Sequence, residues 1–360
     1  SMGFMAFLSA TTLAIDVGML MTARTQTQTS ADAGALAGAT ALAFDDFNNR
    51  SSTGPAVQSA INAALANQVV GAAVSINSGD VTFVNDSFGV ADRVQVKVFR
   101  TAARGNPIQM MMGVVFGMPT ADISASAVAE MVPANADTCV KPWALPDKWQ
   151  ENQTPPWSPT VTFNDHPLSP TLRPDVFTNA TQPTYTGYSP SANTGLTMTI
   201  SPTTGNGVAN GYTPVDLPGS SGAANFETNI DTCNTDKVSI GDTISAEPLN
   251  MNLSTQTGVN DLIAKDPGAH WDSVNQKVVS SMNPSPRVVV IPLYDPKVYQ
   301  DTQRSTGTPQ LQVVDFMGFF ITNVDSSGNV TGVVVPVTGL VTGTAQTPQQ
   351  AFGRAIRLVQ

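Results

Sequence analysis

MGFMAFLSATTLAIDVGMLMTA, residues 2–23, carries a single charge, Asp16. After the polar stretch ending TQTQTS, the chain continues as ADAGALAGATALAFDDF, residues 31–47. At about 1.5 Å of rise per residue, the first run is long enough as a helix to cross most of a bilayer. No basic residues precede it, so it does not read as a secretory signal. The expectation is a chain that has already been processed, or one whose upstream residues are missing. A carboxylate within an apolar helix is costly unless paired. Asp16 is therefore expected either to face a protein partner or polar cavity, or to mark the membrane–water boundary.

The second run has small residues at helical spacing, Ala31, Ala35 and Ala39 on one row and Gly34 and Gly38 on another. A Gly-x-x-x-Gly pair permits close backbone approach between helices. Short side chains bury little area alone, so such a helix gains stability by packing on neighbours; the plain alternative is an Ala-rich surface helix without a partner. TQTQT, where β-branched Thr alternates with Gln, is a weak helix former and predicts a break or bend. Asp45, Asp46, Asn48 and Asn49 are expected to end the helix near Arg50.

LAIDVGMLMTARTQTQTSADAGALAGATALA resembles the N-terminal segment of TadE/TadG-like proteins of the tight-adherence (Flp) pilus system. The resemblance rests on Asp16-Val17-Gly18 within the apolar helix and on Ala31-Asp32-Ala33-Gly34-Ala35-Leu36-Ala37-Gly38-Ala39 after it. It covers about 40 residues, and the C-terminal half matches only loosely. The apolar run before Asp16 is shorter than the family pattern, which leaves open whether the helix spans a membrane or fills a filament core.

Beyond the helix, PAVQSAINAALANQVV (55–70) has an apolar face and a proline at its start, as suits a helix N-terminus. VSIN, DVTFV and DRVQVKVFR alternate as antiparallel strands. NPIQMMMGVVFGM reads as a short apolar helix, and DISASAVAEMV as a returning strand. Half of the 26 prolines lie between Pro142 and Pro218, which excludes a long helix there. RVVVIPLY, LQVVDFMGFFITNV, VTGVVVPVTGL and RAIRLVQ are β-branched runs separated by turns. One of these turns, Asp325–Asn329, lacks the Glu that a calcium loop needs, with Val334 at the closing position. The fold class is therefore α+β: a long N-terminal hydrophobic helix (1–50), a small α+β pilin-like module (51–133), and Pro-rich loops with a β-rich C-terminal head (134–360).

Only 12% of residues are charged and the net charge is −10, a polar but weakly charged composition common in exported β-rich proteins. No basic cluster is present to release counterions from a polyanion, so nucleic acid is excluded as a partner. Cys139 and Cys233 are the only cysteines. In an oxidising compartment they would close a loop worth roughly 4–5 kcal/mol of chain entropy; otherwise they are two buried thiols. His166 and His270, about 100 residues apart, signal no triad or zinc site, and no nucleophile-elbow, zincin or phosphate-loop motif occurs. Asp122-Ile123-Ser124-Ala125-Ser126 fits a metal-holding Asp-x-Ser-x-Ser pattern, but its alternation with Ile and Ala is that of a half-buried strand. No catalytic residue, metal or cofactor is expected. Trp143, Trp149 and Trp157 interleave with proline, either as a surface-binding platform for a glycan or another subunit, or as plugs at the edge of a core.

The resemblance implies a structural, pilin-like subunit of an extracellular Tad-like pilus or filament, reaching the cell surface via the inner membrane. Its partners would be copies of itself or other pilins, with a membrane contact before assembly. Asp16, Gly18, Asp32, Gly34 and Gly38 would be the assembly residues. The alternative is a membrane-anchored minor pilin or envelope adhesin whose head binds a surface ligand.

Overall fold

In a computed structural model of the chain, helix α1 runs from Met2 to Phe44. The backbone is described for residues 2–45, 49–85, 91–152, 156–164, 173–203, 207–220, 222–247, 250–343, 345–348 and 350–359, and side chains for the same residues except 2–13, 223 and 224. The expected break at TQTQT does not occur. The hydroxyls of Thr22, Thr25, Thr27 and Thr29 each donate to the carbonyl four residues back, at 2.6–3.2 Å, so their polar atoms are satisfied without interrupting the helix. The two glutamines tie it outward: Gln26 Oε1 accepts from Val70 N, and Gln28 Nε2 donates to Ser126 O. Tertiary bonds outweigh the weak propensity. Helix α1 ends at Phe44, short of the expected Arg50; Asp46–Asn48 lie outside the described residues.

The chain divides into two compact units, residues 1–131 with 356–360, and residues 132–355. In the first, α1 packs on α2 (Pro55–Ala66) and on an antiparallel sheet whose strands include Val81–Val84, Arg93–Arg100 and Ile123–Pro133. Val94, Val96 and Val98 alternate along one strand and are fully buried, in the same core as Ala31, Ala35 and Ala39. Residues from Ile356 on, which the sequence reading puts in the head, group with this first unit. Arg357 there joins Arg93 in pairing with the buried Glu130, at 2.6 and 2.5 Å.

NPIQMMMGVVFGM is not the short α-helix the sequence suggests. Ile108–Gln109 and Thr120–Ala121 pair as a small antiparallel ladder, and the connection carries one 3₁₀ turn, Gly113–Phe116. Two glycines within the run, one of them Gly117 in the left-handed region (φ 74°), favour a turn over a helix.

The second unit is built on a seven-stranded sheet that closes on itself. Val288–Tyr294 pairs with Leu311–Val324, then come Val330–Val335, Thr197–Pro202, Gly211–Asp216 and Trp143–Pro146, which pairs back onto Val288–Tyr294. Thr243–Ala246 bridges Gly211–Asp216 and Leu311–Val324. Closure leaves no edge in the ring, and Val288–Tyr294 and most of Leu311–Val324 are apolar on both faces because both are covered, whereas Thr197–Pro202 alternates buried with exposed. Val289, Ile291, Leu293, Met317, Phe319 and Ile321 enter one core with Trp143 and Tyr212, whereas the intervening Val290, Tyr294 and Phe316 enter another. Helices Ala223–Asp231 and Asn252–Lys265 contribute Phe226, Ile230, Val259 and Leu262 to the first of these cores.

Candidate functional site

Two faces of α1 have different environments. From Ala23 to Ala43 the inward face is closed against the rest of the first unit, whereas Ile15, Val17, Gly18, Met21 and Arg24 are exposed. The small-residue rows do permit close helix approach, but the partner is α2 and the sheet of the same chain. A Cβ added to Gly34 would sit 3.0 Å from Ala60 O and 3.1 Å from Val96 Cγ1; one added to Gly38 would sit 2.9 Å from Val94 Cγ1 and 3.0 Å from Ala60 Cβ. Ser30 adds a buried bond from its hydroxyl to Ala64 O (2.8 Å). Asp32 is half-buried and accepts from Gln28 Nε2 at 2.8 Å, one turn back. Gly18 has nothing within 4 Å of where its Cβ would be, so of the five expected assembly residues it is the one left fully open.

Asp16 is buried, and its partner is backbone. The carboxylate accepts from Met111 N (3.1 Å), Met112 N (3.1 Å) and Gly113 N (2.6 Å). These are the free N–H groups at the start of the 3₁₀ turn, so one side chain of α1 caps the Met-rich hairpin 95 residues away in sequence. Three charge-assisted bonds offset the desolvation of the carboxylate. The expectation of a protein partner for this charge is met within the chain itself.

Cys139 and Cys233 are joined in a disulfide. Beside it, Lys141 is buried and its ammonium donates to the carbonyls of Asn229, Ile230 and Thr232 at 2.6–3.1 Å, where helix Ala223–Asp231 ends. The tryptophans are core elements more than a platform. Trp143 lies in the barrel core, tilted against Tyr212 at 5.9 Å, and Trp149 is edge-on to both Trp157 and Phe163. Buried indoles offer no face to a glycan, so the expected platform reduces to the half-buried Trp157, with Lys148 Nζ 5.5 Å from its ring.

The chemistry that sequence reading missed is a buried acid pair. Asp147, at the end of a barrel strand, and Asp315, in the longest one, are both fully buried and share the hydroxyl of Tyr185, at 2.9 and 3.3 Å. Asp147 Oδ1 also accepts from Lys148 N and Tyr188 N, and Asp315 Oδ1 from Phe316 N. Burial pushes the Asp147 carboxyl up to about 7. Asp315 is raised well above its ordinary range by burial and then by the charge of Asp147. The Tyr185 hydroxyl has one hydrogen and donates to one carboxyl; the second contact needs a protonated acid, which agrees with the raised values. No local motif announces this cluster, because its three members come from segments 38 and 130 residues apart.

Among the described residues, no group of three His, Cys, Asp or Glu side chains is placed to hold a metal ion. Asp122 is spent on the Ala102 amide (2.7 Å), and His166 lies outside the described residues. An open cleft of about 410 Å³ is lined by Asp216, Val238, Asp242 and Ile244 among others, but both carboxylates tie down backbone, Asp216 at Gly222 N and Asp242 at Ser239 N. Among the described residues, no helix is long and apolar enough to cross a membrane.

Residues 2–41 match the Tad family, described as Flp pilus-assembly TadE/G-like. No curated protein and no solved structure matches the chain. The family match covers α1 alone, including Asp16, Gly18, Asp32, Gly34 and Gly38, and stops before α2.

Proposed function

We propose that this chain is a structural, pilin-like subunit of a Tad-like pilus or filament, non-enzymatic, that assembles with copies of itself or other pilins through the open part of α1. The observation that carries the reading is the match of residues 2–41 to a pilus-assembly family, in a helix whose Ile15, Val17, Gly18 and Met21 are left exposed. Gly34 and Gly38 are already used inside the chain, so the assembly role is assigned to the segment around Gly18. The disulfide is consistent with an oxidising compartment on the way to the cell surface.

Gly18→Leu tests this, because Gly18 is exposed and a Cβ added there has no neighbouring element within 4 Å. The variant is expected to keep the wild-type circular dichroism and a melting temperature no lower than wild type, since leucine favours the helix interior more than glycine does, while losing incorporation into filaments sheared from the producing cell. Wild-type incorporation by a folded Gly18→Leu chain would remove the exposed face of α1 as the assembly surface.

The rival reading, an envelope adhesin, now depends on Trp157. Trp157→Ala is expected to cost on the order of 1 kcal/mol through the lost edge contact with Trp149, with cell adhesion unchanged. A loss of adhesion with normal filaments would instead favour a ligand-binding head.

A further inference from the structure

The Met-rich hairpin combines properties that rarely occur together in a water-exposed loop. Residues 110–118, MMMGVVFGM, contain no polar side chain, and no charged residue occurs between Arg104 and Asp122. Met111 is 69% exposed and Val115 78%, with Val114, Phe116 and Met118 each more than half exposed. Five large apolar side chains thus stand in solvent on one short loop, beside a helix that exposes Ile15, Val17 and Met21 in the turns around Asp16.

Seven backbone N–H groups of the loop are paired within the chain. Met110 N donates to Pro119 O, Val115 N to Met112 O, Gly117 N to Val114 O and Met118 N to Gly113 O, while Met111, Met112 and Gly113 give their N–H groups to Asp16. Internal pairing of this kind is what hydrocarbon demands of a chain entering it, since an unsatisfied amide there costs several kcal/mol. The hairpin is pinned to α1 where the uncharged run Met2–Ile15 ends. Arg24, the one basic residue of α1, is exposed about 12 Å further along the helix, within reach of a headgroup layer.

We propose that the hairpin 110–118 is a lipid-contacting element that enters the interfacial layer of a bilayer, held at a set level on α1 by the Asp16 carboxylate. The occupant of this apolar surface is lipid. The exposed side chains are methionine, valine and phenylalanine, carry no hydrogen-bonding specificity, and adjoin a helix whose preceding segment is itself apolar in sequence. An apolar loop of this size adds to the membrane affinity of the adjoining helix in the manner of a second anchor. The inference concerns contact with lipid and stands independently of whether the chain enters a pilus.

The test uses the full chain bearing Val115→Cys labelled with an environment-sensitive dye, mixed with phosphatidylcholine/phosphatidylglycerol vesicles. Val274→Cys, at an exposed site of the second unit, is the control. The expected result is a blue shift and brightening at position 115 alone, quenched more strongly by a spin label near the headgroups than by one at the acyl-chain end. The double variant Val115→Asp/Phe116→Asp, altered only at exposed side chains, is expected to bind vesicles on the order of tenfold more weakly. Three results would overturn the proposal: no vesicle binding, binding with no change at position 115, or a change at 115 that follows protein concentration without lipid. The last would make a second copy of the chain the occupant. Filament incorporation, measured separately, is unaffected by any of these outcomes.

Discussion

Gly38→Leu is expected to unfold the first unit, in contrast to the harmless Gly18→Leu twenty residues earlier on the same helix. At Gly38 even the first added carbon presses on Val94 Cγ1, Ala60 Cβ and Ala56 O, which belong to a strand and a helix that are themselves packed. Neither can retreat without opening the core of Ala35, Ala39, Ala60 and Val94, all of which have no exposed surface. Inserting methylenes into a packed interior costs about 1–3 kcal/mol when neighbours can adjust. Four carbons at a backbone-to-backbone contact should exceed that range, at about 4 kcal/mol or more. The measurement is hydrogen exchange: amides of α2 and of strand Arg93–Arg100 should lose protection, while those of the barrel strand Leu311–Val324 keep theirs. Retained protection in α2 would mean that α1 and α2 are not held together by this contact. The comparison matters for function, because loss of filaments in a Gly34 or Gly38 variant reports a misfolded subunit and says nothing about an assembly surface.

The second large effect is on pH. Asp147 ionises near its ordinary value in the unfolded chain but only at about 7 in the fold. The unfolded chain releases this proton first, so the folded state binds more protons between those values and stability falls as pH rises from about 4 to about 7. The favourable contribution is complete below the unfolded value and gone above the folded one. A displacement of about three pH units corresponds to about 4 kcal/mol, or roughly 10 °C in the melting temperature of a domain this large. Asp315 acts in the same direction, and the groups facing the pair, Tyr185, Tyr188 and Asp295, include no cation that would hold the charge. Asp147→Asn keeps the acceptor for Lys148 N and Tyr188 N, and its amide can donate to Tyr185, whose hydroxyl then serves Asp315. Melting the second unit of wild type and variant from pH 4 to 8 should give curves that converge at the acid end, with the variant more stable by several degrees at pH 8. Parallel curves would show that the pair does not retain a proton in the fold.

Much of the first unit was legible in order and type. The helical character on both sides of TQTQT, the helix beginning at Pro55, and the alternating strand around Val94–Val98 follow from periods that neighbouring residues impose on one another, whereas the continuity of α1 through TQTQT does not. The barrel helices were less legible. Asn252–Lys265 buries Thr255, Gly258, Val259 and Leu262, which is helical spacing, but two of the four are Thr and Gly and do not read as an apolar stripe. The strand Trp143–Pro146 is four residues that follow one proline and end on another, and only its partners Thr213 and Leu293 make it part of a closed sheet.

By itself, the sequence determined local form: two helical runs on either side of a weak TQTQT stretch, a half-buried hairpin rhythm, long β-branched strands, and an N-terminal segment, residues 2–41, that matches a pilus-assembly family. These are properties of residues within a few positions of each other. Which surface Gly34 and Gly38 face, what answers the charge of Asp16, whether three tryptophans are inside or outside, and that two distant aspartates share one tyrosine were decided by tertiary structure alone. Each is a contact between segments tens to hundreds of residues apart. A carboxylate in an apolar helix states that a partner must exist, because isolation is too costly. It carries no record of whether that partner is another subunit or, as here, three amides of its own chain.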